Sequence, residues 1–115
     1  MIKLLALDID GTLMNRDYIL REPVIKAIKR VIEETDIKVV LASGRMINST
    51  IPVAEQLGIT TPLISYQGAL IKDVMTGKVF SHLLVPSDLA LQLVSDMEEE
   101  GIHVDKAWIK GDLYV

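Results

Sequence analysis

Two carboxylates, Asp8 and Asp10, stand two residues apart in the run Asp8-Ile9-Asp10-Gly11-Thr12-Leu13. Such a pair can divide the work of a group transfer. Asp8 could attack a phosphorus atom and become an aspartyl phosphate. Asp10 could protonate the leaving oxygen and later activate a water. Gly11 lets the backbone turn sharply and approach a ligand. The Thr12 hydroxyl can hydrogen-bond a neighbouring carboxylate or its backbone. Acids facing an anionic phosphate repel it. A bound Mg2+ would neutralise both, and it takes oxygen ligands of this type. Asp8 and Asp10 are therefore candidate metal ligands as well as the candidate catalytic pair.

Less eventful readings exist. A D-x-D in a loop is most often a solvated turn. Here an apolar strand precedes it and Gly-Thr-Leu follows, which favours a site. A calcium loop fails on spacing: counted from Asp8, position 6 is Leu13 and position 12 is Ile19, where Gly and Glu are needed.

A second cluster is Leu41-Ala42-Ser43-Gly44-Arg45. A hydroxyl, a glycine N–H and a following helix N-terminus together suit a phosphate. Alone, Ser-Gly after a strand is a plain turn. Coupled to the acidic run, Ser43 and Gly44 become the matching half of one site. Arg45 either touches a substrate or pairs with an acid.

The elements that must position these residues follow from patterning. Residues 2–8 are a nearly continuous apolar run, as suits a strand of a parallel sheet. Residues 22–35 read as a helix with Pro23 in its first turn and Val24, Ala27, Ile28, Val31 and Ile32 on one face. Residues 37–42 form a second strand. A second helix runs to about Leu57 and stops at Gly58. Pro52 implies a late start or a kink there. Residues 62–66 read as a third strand. Strand, helix, strand, helix, strand is the signature of a parallel α/β sheet flanked by helices. Both clusters then sit at carboxyl ends of strands, where open α/β sheets bind ligands.

Beyond residue 66 the pattern changes. Residues 69–72 and 78–85 flank Met75-Thr76-Gly77 as a hairpin. Pro86-Ser87-Asp88 opens a helix with Leu89, Leu93, Val94 and Met97 on one side. Its last turn, Glu98-Glu99-Glu100, has the wrong sign for a helix C-terminus. Residues 102–109 and 113–115 read as strands around a Gly111-Asp112 turn.

Composition sets outer limits. The chain has 115 residues, a net charge of −4, no Cys, 50% apolar and 4% aromatic residues. The acidity argues against nucleic acid as a partner, and the scarcity of aromatics against a base-stacking surface. Lack of Cys excludes a disulfide scaffold, a thiolate zinc site and a Cys nucleophile. No apolar run nears the ~18 residues of a membrane span, and the start lacks a signal-peptide pattern. The expectation is a cytoplasmic protein without a membrane partner.

In this order and spacing the motifs resemble those of the haloacid dehalogenase (HAD) superfamily of phosphohydrolases, in its Cof-type branch. The stretches that carry the likeness are Asp8–Leu13 with Met14, Ala42–Arg45, Leu57-Gly58 and Ile64-Ser65-Tyr66-Gln67-Gly68-Ala69. The resemblance implies a partial Rossmann-like HAD core over residues 1–82. The beginning of an α+β cap would follow over 83–115. It implies Asp8 as nucleophile and Mg2+ ligand. Asp10 would be general acid/base and would give its backbone carbonyl to Mg2+. Thr12 would help place Asp10. Ser43 and the Gly44 backbone would bind the phosphoryl group. The substrate would be a small phosphorylated metabolite, such as a sugar phosphate. Where the family usually has Asn before Gly-Ala, this chain has Gln67, a candidate substrate contact with Arg45.

The family's later motifs, a Lys that pairs with the nucleophile and an acidic Gly-Asp that completes the metal site, are not visible. Gly111-Asp112 fits a hairpin turn instead. The chain alone is therefore expected to be inactive, and it resembles the N-terminal portion of a family member. Sheet edges left open by a missing half would favour self-association. His82 and His103 lack ligand spacing and read as structural, and Trp108 as a cap anchor. Two rivals stay open. One is a non-catalytic fragment that binds a ligand or partner. The other is a receiver-like signalling module, disfavoured because the third strand ends in Ser65-Tyr66-Gln67 with no acid.

Overall fold

Residues 1–103 are described by the computed structural model, together with the backbone of 107–109 and 112–114. The chain divides into two compact units, Met1–Leu83 and Leu84–Val115.

In the first unit, the apolar runs at 2–8 and 37–42 form β1 (Leu4–Leu7) and β2 (Lys38–Leu41). They pair in parallel, with Leu4 opposite Lys38 and Leu7 opposite Leu41. Their connection carries α1 (Glu22–Glu34), whose Pro23 sits in the first turn, where a missing N–H is harmless. From α1 only Ile28 is fully buried, while Val24, Ile25, Val31 and Ile32 pack around the core.

Next comes α2 (Ile47–Leu57). The sequence left Pro52 as a late start or a kink. The helix starts at Ile47, so Pro52 lies inside it and denies it one backbone bond. Burial of Thr50, Val53, Ala54 and Leu57 on the inner face offsets that loss. The helix closes at Gly58 in the left-handed conformation, with the Ile59 N–H donating back to the Ala54 carbonyl at 2.9 Å.

The third strand departs from expectation. β3 (Leu63–Ser65) meets the end of β2 through a single parallel bridge, Ala42 opposite Ile64. Its longer pairing is antiparallel, with β4 (Leu70–Lys72), which in turn pairs with β5 (Val79–His82). With only three residues, β3 is too short for an extended parallel ladder. The hairpin predicted around residues 75–77 supplies its other partners. His82 is exposed on β5.

The core lies between this sheet and the two helices. Ile9, Leu41 and Leu57 are completely buried and Leu63 nearly so. Leu57→Ala is expected to destabilise the chain by about 2–5 kcal/mol, the range for truncating a buried leucine. Urea denaturation checks this; a change under about 1 kcal/mol would mean that α2 does not share the core.

The second unit contains α3 (Ser87–Glu99) and a hairpin of β6 (Ala107–Ile109) with β7 (Asp112–Tyr114). On α3, Val94 and Met97 are half-buried, but Leu89 and Leu93 are 54% and 59% exposed. The one-sided apolar stripe is thus only partly covered. The helix ends with the Ile102 N–H donating to the Met97 carbonyl at 2.8 Å, a terminus that satisfies carbonyls without a basic side chain. Asp112, predicted in the turn, pairs with Ile109 inside β7. Gly111 and the side chain of Trp108 lie outside the described residues. No helix among the described residues is long and apolar enough to cross a membrane.

Candidate active site

β1 ends at Leu7, and the next residues alternate outward and inward. Asp8 and Asp10 are exposed, whereas Ile9 between them is completely buried. Ile9 also anchors the turn through its backbone. Its carbonyl accepts the N–H groups of Thr12, Leu13 and Met14 at 3.3, 3.0 and 2.9 Å. Gly11 sits at the tip with φ +77°, where a side chain would be strained. Leu13 and Met14 fold back into the core. Both carboxylates are thereby presented on a rigid, inward-anchored loop.

The Ser43-Gly44-Arg45 loop is fastened on both sides. The Ala42 N–H donates to the Leu7 carbonyl at 2.9 Å, and the Ser43 N–H to the Ile64 carbonyl at 3.0 Å. Ser43 is buried, and its Oγ accepts the Arg45 N–H at 3.1 Å. That leaves the hydroxyl proton free to donate. The Gly44 N–H makes no hydrogen bond with the described residues. The loop is closed from the other side by a 3-10 turn, Tyr66–Gly68. The Tyr66 N–H donates to the Arg45 carbonyl at 2.9 Å and the Gln67 N–H to the Ser43 carbonyl at 3.3 Å.

These loops enclose a cleft of about 720 Å³, lined by Asp8, Asp10, Ser43, Gly44, Arg45 and Gln67 among others. Six of the seven residues singled out from the sequence thus come together. Thr12 does not: it is exposed, outside the cleft wall, and its hydroxyl makes no hydrogen bond to Asp10. The turn that gathers three amides onto Ile9 swings Thr12 outward.

Arg45 takes the position that Thr12 was expected to hold. Its Nε and Nη2 donate to the two oxygens of Asp10 at 2.8 and 2.6 Å, a planar fork-to-fork pair. Its Nη2 also lies 3.6 Å from the buried Met14 Sδ. Of the two readings of Arg45, the structure displays the pairing with an acid, and that acid belongs to the site. The guanidinium hydrogen bonds hold the Asp10 carboxyl below the usual carboxylate range, and Asp10 in turn raises Arg45.

The donor set bears on a cation. Among the described residues no group of three or more acids or histidines is placed so as to hold a metal ion by itself. With the Asp10 carboxylate committed to Arg45, the oxygens left are the Asp8 carboxylate and the Asp10 backbone carbonyl, which accepts no hydrogen bond within the loop. A small hard ion that keeps several waters and binds through one or two protein oxygens plus phosphate fits this set. A cation needing a full protein cage does not.

Sequence reasoning missed three contributors. Ile9 could have been read from its position between two acids that must face out. Met14 stands at the end of the acidic motif, but its contact with Arg45 has no sequence signature. Tyr66 lies in a stretch that carries the family likeness, but its role, a backbone N–H and a left-handed φ of +51°, has no side-chain signature.

Two exposed acids, one of them paired with Arg45, and the Ser43-Gly44 loop thus share one cleft at adjacent strand ends of an α/β core. The family model for haloacid dehalogenase-like hydrolases matches residues 5–112, and the chain belongs to that family, in its Cof-type branch. It is 31% identical over 114 residues to the 5-amino-6-(5-phospho-D-ribitylamino)uracil phosphatase YitU of Bacillus subtilis, covering 96% of this chain and 41% of that one. To the pyridoxal phosphate phosphatase YbhA of Escherichia coli it is 30% identical over 101 residues, covering 88% and 37%. A solved haloacid dehalogenase-like hydrolase from B. subtilis superposes with a TM-score of 0.72 at 32% identity, covering 87% of this chain and 34% of that one. The chain therefore spans well under half the length of these relatives.

Proposed function

We propose that this chain is the nucleophile-bearing part of a Mg2+-dependent phosphatase that hydrolyses a small phosphorylated metabolite through an aspartyl phosphate. The observation that carries the reading is the single cleft shared by Asp8, Asp10 and the Ser43-Gly44 loop. The Ser43 hydroxyl and Gly44 N–H hold the phosphoryl oxygens as hydrogen-bond donors. The Asp8 carboxylate attacks phosphorus; the ester bond breaks and the leaving oxygen takes a proton from Asp10. Asp10 then removes a proton from water, which attacks the phosphorus and frees Asp8. Arg45 positions Asp10 between these duties. The Asp8 carboxylate and Asp10 carbonyl would hold Mg2+, whose charge offsets that of the phosphate. Residues 83–115 would be the start of a cap domain.

The two named phosphatases, at similar identity to this chain, differ in substrate. Kinship at this level therefore supports the class and leaves the metabolite open. The test is phosphate release from p-nitrophenyl phosphate by a longer protein carrying residues 1–115. Turnover is expected to require Mg2+ and to vanish on chelation; turnover indifferent to chelation would overturn the metal assignment. The 115-residue chain on its own is expected to show none. Release from the short chain that disappears with Asp8→Asn would refute that expectation.

A further inference from the structure

Met14 meets the site from the core side. It is buried, with 8% of its surface exposed. Its backbone is bonded twice into the acidic turn. Its N–H donates to the Ile9 carbonyl at 2.9 Å, and its carbonyl accepts the Gly11 N–H at 3.0 Å. Isolated bridges link it to Asp10 and to Leu20. The sulfur is therefore held in a fixed place, 3.6 Å from Arg45 Nη2.

That nitrogen carries two hydrogens, so it can serve Asp10 Oδ1 at 2.6 Å and the Met14 sulfur together. The second contact matters because the first is only partly shielded. The Arg45 and Asp10 side chains are 24% and 42% exposed, and a pair that open to water readily exchanges its partners for solvent. The bidentate fork fixes guanidinium and carboxylate relative to each other. Their joint position is left to the flexible arginine stem unless a buried group takes hold of it. A thioether can do so. It is a polarizable, weak acceptor, whereas a hydrocarbon in its place leaves the N–H unanswered.

We propose that Met14 is a positioning residue whose thioether holds the Arg45 guanidinium in the plane that meets Asp10, and so steadies Asp10 for its proton transfers. This rests on the reading of Asp10 as the acid and base of a phosphatase. The alternative is a side chain that only fills the core, and leucine separates the two. Leucine nearly matches methionine in volume, so the packing cost stays small, but it has no lone pair to offer.

The experiment compares Met14→Leu with the parent in two ways. In the 15N-labelled 115-residue chain, exchange of the Arg45 Nε–H with water is expected to quicken about twofold to fivefold, the worth of one weak hydrogen bond. In a longer protein carrying residues 1–115, kcat on p-nitrophenyl phosphate is expected to fall by a similar factor, with KM changed less than about twofold. The fall in kcat should vanish when Arg45→Ala is already present, because the thioether acts only through the guanidinium. An equal fall in both backgrounds, or an unchanged Arg45 Nε–H exchange rate, overturns the positioning role and leaves Met14 as core. A parent that releases no phosphate, with the Arg45 Nε–H still responding to Met14→Leu, overturns the phosphatase reading and the positioning role with it. The contact itself then stands, so the two failures are distinguishable.

Discussion

Asp8→Asn is expected to lower kcat on p-nitrophenyl phosphate by about 10³-fold or more in a longer protein carrying this chain, with KM changed far less. Removing a nucleophile raises the barrier of the chemical step, and each factor of ten is about 1.4 kcal/mol. Asparagine has the shape of aspartate but is a poor nucleophile towards phosphorus. The fold should not notice the change. Asp8 is exposed, and its loop is held by the buried Ile9 and the amides gathered on the Ile9 carbonyl. The thermal midpoint should therefore stay within a few degrees while turnover collapses. Mass spectrometry after rapid quench should find a phosphoryl group on the parent and none on the variant. Turnover within tenfold of the parent would remove Asp8 from the role of nucleophile.

That prediction rests on residues that could be read directly from the chain. Asp8 and Asp10 are separated by one apolar residue at the end of an apolar run. A strand ending there must turn the acids outward when it buries Ile9. The Ser43-Gly44 loop was legible for a similar reason, since Val39, Val40 and Leu41 drive β2 into the core. Their buried run ends where polar residues begin. Patterns of burial report on where a strand stops, and in this fold the stops are the site.

Other features had no such signal. β3 meets β2 in parallel, as its place in the chain implied, but nothing in its three residues announced the longer antiparallel pairing with β4. Pro52 argued against the middle of a helix, yet four buried neighbours on α2 outweighed one lost hydrogen bond. Thr12 fits a motif, but its direction is decided by backbone bonds to Ile9 that no side-chain pattern reveals. The reach of Arg45 across 35 positions to Asp10 is a tertiary fact. The left-handed Tyr66-Gln67 pair is equally silent, because neither residue favours that conformation.

Arg45→Ala is the second change with a large expected effect, and it separates positioning from structure. The guanidinium fixes both oxygens of Asp10. Without it the carboxylate swings freely, and a displacement of about 1 Å at a reacting group can lower the rate about 10²-fold. A fall in kcat of about 10-fold to 100-fold is expected. The pH profile carries the more specific evidence. Arg45 holds Asp10 below its ordinary pKa, so the ionised form needed to activate water persists to lower pH. Protonating the leaving oxygen needs the other form, and an incoming phosphate dianion pushes the Asp10 pKa back up. Arg45 and substrate thus act on Asp10 in opposite senses. Removing the arginine should move the acid limb of kcat/KM, which reports the free enzyme, upward, towards the ordinary aspartate value near ~3.9. Stability follows the same sign. A depressed carboxyl pKa stabilises the fold above that ordinary value, and the contribution is lost as pH falls through the lower, folded-state value. With side chains 24% and 42% exposed, the pair is screened, and its share of stability should stay within about 1 kcal/mol. Arg45→Lys keeps the charge but not the planar fork, so it should restore the acid limb more fully than the rate. An unmoved limb in Arg45→Ala, with kcat within threefold of the parent, would mean that the fork is an ordinary surface pair with no hold on the chemistry.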